Sequence, residues 1–263
     1  MPTEIDPSLS GDDVETNHRV AIVTGAAGGI GGAVCIRLAE RGWSVVLAAR
    51  TEKAAAEVLS RCRALNAEAE VFPGDVTQAQ YMRDLVAFAV ERFGRLDGFV
   101  SNAGLAGHLE AVTDYPDEVF DLVMNVNVRA TFLALKHSLP ALRASGGGSF
   151  VATASTSAIR GRANLSAYVA SKHAVLGLVR SAALECIGTG ARVNAVLPGP
   201  IQTALIDSLN EMASKRGNPI TRATQTPYGK PEDVANTVAF LLSSESSHMN
   251  GASIVLDAGS TVA

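Results

Sequence analysis

Tyr168 and Lys172 stand four residues apart, and Ser155 lies thirteen residues before the tyrosine. A phenol, an ammonium and a hydroxyl so spaced can move a proton. Residues four apart on a helix lie one turn above each other, so Tyr168 and Lys172 face the same way if SAYVASKHAVLGLVRSAAL is helical. A free phenol has a pKa of about 10 and is a poor base near neutrality. A cation within about 4–6 Å favours the phenolate and pulls that value down. Ser155 can then hold the oxygen of a carbonyl or alcohol while Tyr168 gives or takes its proton. Such a set needs a hydride partner.

The elements that must position these groups alternate. Arg19 to Thr24 is an apolar run that reads as a buried strand. It stops at Gly25-Ala26-Ala27-Gly28-Gly29-Ile30-Gly31-Gly32, and GAVCIRLAERG follows with helical periodicity. Strand, glycine turn and helix form the setting in which backbone N–H groups at a helix N-terminus hold a pyrophosphate. Ser44 to Arg50 is a second strand, whose exit should meet the adenosine ribose. Where an NAD site places an acid, this chain has Ala49 and Arg50, and a guanidinium suits a 2′-phosphate. NADP is therefore favoured over NAD.

A helix from Thr51 to Asn66, a third strand in AEAEVFPGDV and a helix from Thr77 to Phe93 come next. Asp75, before Val76, can accept from an adenine amino group or close an Asx turn at the following helix. Leu96 to Ser101 reads as the fourth strand, and Asn102-Ala103-Gly104 lets the backbone pass close to a ribose while Asn102 braces neighbouring strands. An unbroken helix is expected from Pro116 to Ala144. Asn127 within it must bond a backbone carbonyl or hold a water toward Lys172. A fifth strand delivers Ser155 to the sheet edge where α/β proteins bind ligands. After the Tyr168 helix, Ala191 to Leu197 is a sixth strand ended by Pro198-Gly199-Pro200, with Ile201 and Thr203 beyond; Thr203 can bond a carboxamide. Residues 201–228 are expected as a mobile substrate lid, then a helix from Gly229 and a last strand from Ala252 to Asp257.

Composition narrows the classes. The chain has 263 residues, 47% hydrophobic and 18% charged, which suits a globular α/β protein rather than a disordered one. A formal charge of -4 argues against a nucleic-acid partner. No apolar run approaches the about 18 residues of a membrane span. The polar, acidic residues 1–18 read as a flexible tail ahead of a single domain of 19–263, in a cytoplasmic protein. Three scattered cysteines and five histidines show no metal-ligand spacing, so no metal is expected.

These motifs resemble the short-chain dehydrogenase/reductase family over residues 19–261. Thr24-Gly25-Ala26-Ala27-Gly28-Gly29-Ile30-Gly31 matches its TGxxxGIG turn and Asn102-Ala103-Gly104 its NAG motif. Asn127, Ser155, Tyr168 and Lys172 match its catalytic tetrad, and Pro198-Gly199 with Thr203 its PG motif. The resemblance implies a doubly wound Rossmann fold with a seven-stranded parallel sheet of order 3-2-1-4-5-6-7 and helices on both faces. It implies Tyr168 as acid/base, Lys172 lowering its pKa and bonding the nicotinamide ribose, Ser155 orienting the substrate oxygen and Asn127 holding a relay water. It further implies a cofactor site including Gly25, Ala27–Gly31, Arg50, Asp75, Val76, Asn102–Gly104, Pro198, Gly199, Ile201 and Thr203. Members are commonly homotetramers or homodimers, packed through the long helices.

Among such enzymes the pattern is nearest to 3-oxoacyl-thioester reductases and related ketone reductases. Carrier-protein reductases tend to place basic residues after the long helices, where this chain has Ala144-Ser145-Gly146-Gly147-Gly148 and Gly188-Thr189-Gly190. A free small ketone or alcohol is therefore preferred to an acyl-carrier or CoA thioester. A cofactor-binding regulator without catalysis is the third reading, opposed by the intact Ser155, Tyr168 and Lys172. The substrate pocket is expected from residues 105–110, 156–165 and 201–225, including Ala106, His108, Ile159, Arg160, Leu205 and Met212.

Overall fold

VAIVT and SVVLAA are buried at every position, as strands covered on both faces must be. In the computed structural model, which describes residues 18–215 and 227–262, they are β1 (Val20–Thr24) and β2 (Ser44–Ala49). With β3 (Ala69–Pro73), β4 (Gly98–Ser101), β5 (Ser149–Thr153), β6 (Arg192–Pro198) and β7 (Ser253–Leu256) they form one parallel sheet of order β3-β2-β1-β4-β5-β6-β7. The order and the doubly wound class are as the sequence implies. Between β1 and β4 the direction of winding reverses, so their connections leave on opposite faces and a crevice opens at their C-terminal ends.

Helices cover both faces. On one side α1 (Gly29–Glu40), α2 (Glu52–Ala64) and α8 (Pro231–Leu242) bury Val34, Leu38, Val58 and Val238 against Ala21, Val23, Val45 and Leu47. On the other, α3 (Ala79–Phe93), α5 (Ala130–Ala144) and α6 (Ser166–Glu185) bury Leu85, Leu142 and Val179 against Ile22, Val46, Phe99 and Phe150. Alternate residues of one strand therefore serve two cores, and Phe99 and Phe150 on neighbouring strands stack at 5.4 Å.

Two expectations change. The helix expected from Pro116 to Ala144 is α4 (Asp117–Met124) and α5 separated by a π-helical turn, Asn125–Arg129. The stretch expected as a lid contains a helix, α7 (Ala204–Lys215), that buries Leu209 and Ala213; residues 216–226, like the tail 1–17, lie outside the described residues. Among the described residues no helix is long and apolar enough to cross a membrane, and no cluster of side chains could hold a metal ion.

Candidate active site

The glycine turn is shaped by collisions it avoids. A Cβ on Gly31 would lie 2.2 Å from the carbonyl oxygen of Gly25, and one on Gly25 would lie 3.0 Å from Ala103 Cα, at a φ of +67°. Helix α1 thus begins close against the turn. Its first turn carries no side-chain cap and no acidic residue, so the N–H groups of Gly29, Ile30 and Gly31 are left for an anion. Open space surrounds Gly28, where a ligand backbone could approach. The chain's residues therefore fit a dinucleotide pyrophosphate at this end.

Thr24 ties the turn to β4. Its Oγ1 accepts from Asn102 N at 2.9 Å and Ala103 N at 3.1 Å, while Asn102 Nδ2 donates to Thr24 O at 3.2 Å. Asn102 thus spends its amide on bracing strands. One step further, Asn127 pairs with the backbone of Leu105 in both directions: Oδ1 accepts from Leu105 N and Nδ2 donates to Leu105 O, each at 2.9 Å. The same Nδ2 donates to Ser171 Oγ at 2.9 Å, so both donors of this buried amide are used. Of the two roles open from sequence, the bond to a backbone carbonyl is made, to Leu105 O. A Cβ on Gly104 would sit 3.1 Å from Asn127 Oδ1 and 3.6 Å from Lys172 Nζ, so this glycine keeps the passage between them open.

Ser155 follows β5 and caps a short 3-10 turn, its Oγ accepting from Ser157 N at 3.1 Å. Tyr168 and Lys172 project from the first half of α6. Lys172 Nζ lies 5.6 Å from the Tyr168 ring centroid and donates to Thr153 O at 2.9 Å. Lys172 is 5% exposed, and burial lowers its pKa from 10.5 to about 8. The expectation that the phenol is depressed is not met. Burial raises the Tyr168 pKa, against the opposing pull of the Ser155 hydrogen bond and then of a nearby guanidinium, Arg162. Without a ligand, the phenol is held in its proton-carrying form.

A cleft of about 710 Å³ joins the two ends. Gly25, Ala27–Ile30, Asn102–Gly104, Pro198, Gly199, Ile201 and Thr203 line it together with Ser155, Tyr168 and Lys172. Thr203 approaches the glycine turn: a Cβ on Gly29 would be 3.4 Å from its Cγ2. Gly31 and Asn127 stand behind this surface. Arg50, Asp75 and Val76 lie off the cleft: Arg50 and Asp75 are exposed, and Val76 packs on the core. Asp75 Oδ1 accepts from Thr77 N at 2.9 Å, the Asx turn allowed from sequence, and that bond holds its pKa low.

The far end differs from expectation. Leu205 lines the cleft, with Ala106 and Met212 in the apolar cluster around it. His108, Ile159 and Arg160 do not line it; Arg160 turns away and donates to Ser260 O at 2.9 Å. Within the expected span 156–165 it is Arg162, and not the Arg160 named there, that enters the cleft. The motif Arg160-Gly161-Arg162 held the signal, but nothing in it said which guanidinium turns inward.

A parallel sheet reversed at β1 and β4, with an anion-ready turn facing a Ser–Tyr–Lys set, defines a doubly wound α/β dehydrogenase. Residues 25–261 match the family described as enoyl-(acyl carrier protein) reductase. Cyclohexanol dehydrogenase of Acinetobacter sp. (strain SE19) is 38% identical over 245 residues, covering 93% of this chain and 96% of that protein. The crystal structure of NAD+-bound xylitol dehydrogenase superposes with a TM-score of 0.86 at 31% identity, over 92% of this chain and 98% of that one. That of actinorhodin polyketide ketoreductase with NADPH gives 0.87 at 32% identity, over 93% and 97%. The chain belongs to the short-chain dehydrogenase/reductase family and is an oxidoreductase of CH–OH and C=O groups.

Proposed function

We propose that this enzyme moves hydride between NADP(H), preferred to NAD(H), and a small free ketone or secondary alcohol, with Tyr168 as proton donor and acceptor. The observation that carries this reading is the single cleft shared by the uncapped glycine turn and the Ser155–Tyr168–Lys172 set. A bound nicotinamide dinucleotide supplies the hydride. The chain's own groups do the rest. In reduction Tyr168 Oη gives its proton to the carbonyl oxygen, which the Ser155 hydroxyl steadies. Burial keeps the phenol protonated near neutrality, which suits reduction. In oxidation the phenol must ionise, and the Ser155 hydrogen bond favours that form, with the ammonium of Lys172 5.6 Å from the ring. Asn127 acts as a positioning residue, holding Leu105 against Ser171 on α6.

Both NAD+ and NADPH occur among the similar structures, so the cofactor reading rests on Arg50. It is exposed at the end of β2 and makes no hydrogen bond or close ion pair among the described residues, though its charge reaches Asp75. We expect NADP(H) to exceed NAD(H) in kcat/KM, and Arg50→Asp to move that ratio about 10- to 100-fold toward NAD(H), the worth of a charge-assisted phosphate contact. A ratio unmoved by the substitution would reject Arg50 as the phosphate ligand. The free-substrate reading is supported by what two basic residues near the helix ends do. Arg143 donates to Glu185 O at 3.1 Å, and Arg192 is spent on Ser243 O, Leu241 O and Ser246 O, so neither is poised to grip an acidic carrier. A panel of ketones and alcohols with both cofactors, followed at the nicotinamide absorbance band, tests the whole reading.

The exposed side chains of Phe120, Leu122 and Phe132, on α4 and α5, support a homodimer or homotetramer through the long helices, which light scattering would measure. Three buried free cysteines suit the reducing cytoplasm.

A further inference from the structure

The substrate end of the cleft is apolar, built from Leu109, Leu165, Leu205, Ile206 and Leu209. Into this lining comes the guanidinium of Arg162, only partly exposed. One edge is pinned: Nε donates to Ser157 Oγ at 3.0 Å and Nη2 to Thr156 Oγ1 at 3.4 Å. Nη1 has no partner among the described residues, and Arg162 forms no ion pair there. Among the described residues the cleft has no carboxylate in its lining; its other charged group there, Lys172, is also a cation. Arg160 adds a third positive charge close enough to oppose that of Arg162. A half-buried guanidinium among leucines, beside like charges and without a counter-ion, is costly to the fold unless something that enters the cleft completes it.

We infer that Arg162 is a specificity-determining residue: its free edge binds a second oxygen acceptor on the substrate, a carboxylate most tightly and a second carbonyl less so, while the reacting oxygen lies at Ser155 and Tyr168. This rests on the ketone/alcohol reading above and narrows it to keto acids, hydroxy acids and diones with an apolar frame. Arg162 and Tyr168 line one cleft, so a single substrate can meet the guanidinium with one oxygen and the phenol with another. The pinned edge also presents the fork in one orientation, which lowers the cost of binding a planar oxyanion.

The test compares three ketones of one apolar frame, carrying a carboxylate, a second carbonyl or hydrogen at the same position. The wild type should prefer the keto acid to the plain ketone by about 10- to 100-fold in kcat/KM, mostly through KM, with the dione between them. In Arg162→Gln that preference should collapse toward one, and Arg162→Lys should restore part of it for the keto acid alone. A wild-type preference below threefold, or an Arg162→Gln loss equal for all three, would overturn the assignment and leave Arg162 a support for the Ser157 turn. Calorimetric binding of hexanoate against 1-hexanol to the enzyme–NADPH complex reads the same subsite without turnover. Tighter hexanoate binding that vanishes in Arg162→Gln upholds it, whereas equal binding of the two sinks it. If no ketone is turned over but hexanoate still depends on Arg162, the reaction reading fails and the acceptor site stands.

Discussion

The two ends of the cleft are built by different means. At the dinucleotide end the backbone decides: Gly25 and Gly31 are where a Cβ would press on backbone atoms, and Thr24 and Asn102 lock the turn to β4. At the substrate end side chains from three separate stretches meet, and only Leu165, Leu209 and Ala106 form the buried centre of their cluster. The first end can vary little without losing the fold. The second can change its leucines or its arginine and keep the sheet intact, so one scaffold can serve many ketones.

The sharpest break is at the junction of the two ends. Tyr168→Phe removes the proton carrier and should lower kcat by about 10²- to 10⁴-fold, while NADPH affinity stays within a few-fold by fluorescence titration. Retention of turnover within a few-fold would remove Tyr168 from the chemistry. Next in size is Gly31→Ala, whose new Cβ meets the Gly25 carbonyl rather than a yielding side chain. It should cost about 1–3 kcal/mol in urea unfolding and weaken cofactor binding more than it alters substrate preference. Leu209→Ala, at the other end, should cost roughly 2–3 kcal/mol and raise the ketone KM while the cofactor dissociation constant holds. If both ends responded alike to these two changes, the contrast drawn above would be wrong.

The smallest effect runs the other way. Lys172 titrates at about 8 in the fold against 10.5 for a free lysine, so below pH 8 the fold must bury its charge. The unfolded chain binds the extra proton between those values, so this group's contribution to stability rises with pH from about 8 to 10.5. Lys172→Met should therefore raise the melting temperature at pH 7 by a few degrees, with the gain shrinking toward pH 10.5, even as it disables proton transfer. A melting temperature lowered at pH 7 would show that the lost bond to Thr153 O outweighs the relieved charge.

Much of this was legible because periodicity and glycine carry backbone information. The strand runs, the turn at Gly25–Gly31 and the four-residue step from Tyr168 to Lys172 each report a local geometry, and the seven observed strands lie within a few residues of those expected. What was not legible depends on distant partners. The π turn at Asn127 follows from an amide reaching Leu105, across a loop whose path no local pattern reveals. The inward turn of Arg162 depends on Ser157 and Thr156, and the outward turn of Arg160 on Ser260, a hundred residues away. The upward shift of the phenol depends on how deeply a cleft closes, which residue spacing does not encode.

The wide turn at Asn125–Arg129 has one more result. It works as a one-residue insertion tolerated between two ordinary helices, and each residue of an α-helix advances the face by about 100°. Removing a single residue there would restore a regular spiral and swing Leu133, Ala134 and Leu142 out of the sheet's shadow. The segment is therefore bound in count as well as in the identity of Asn127, whose amide ties it to Leu105 and Ser171.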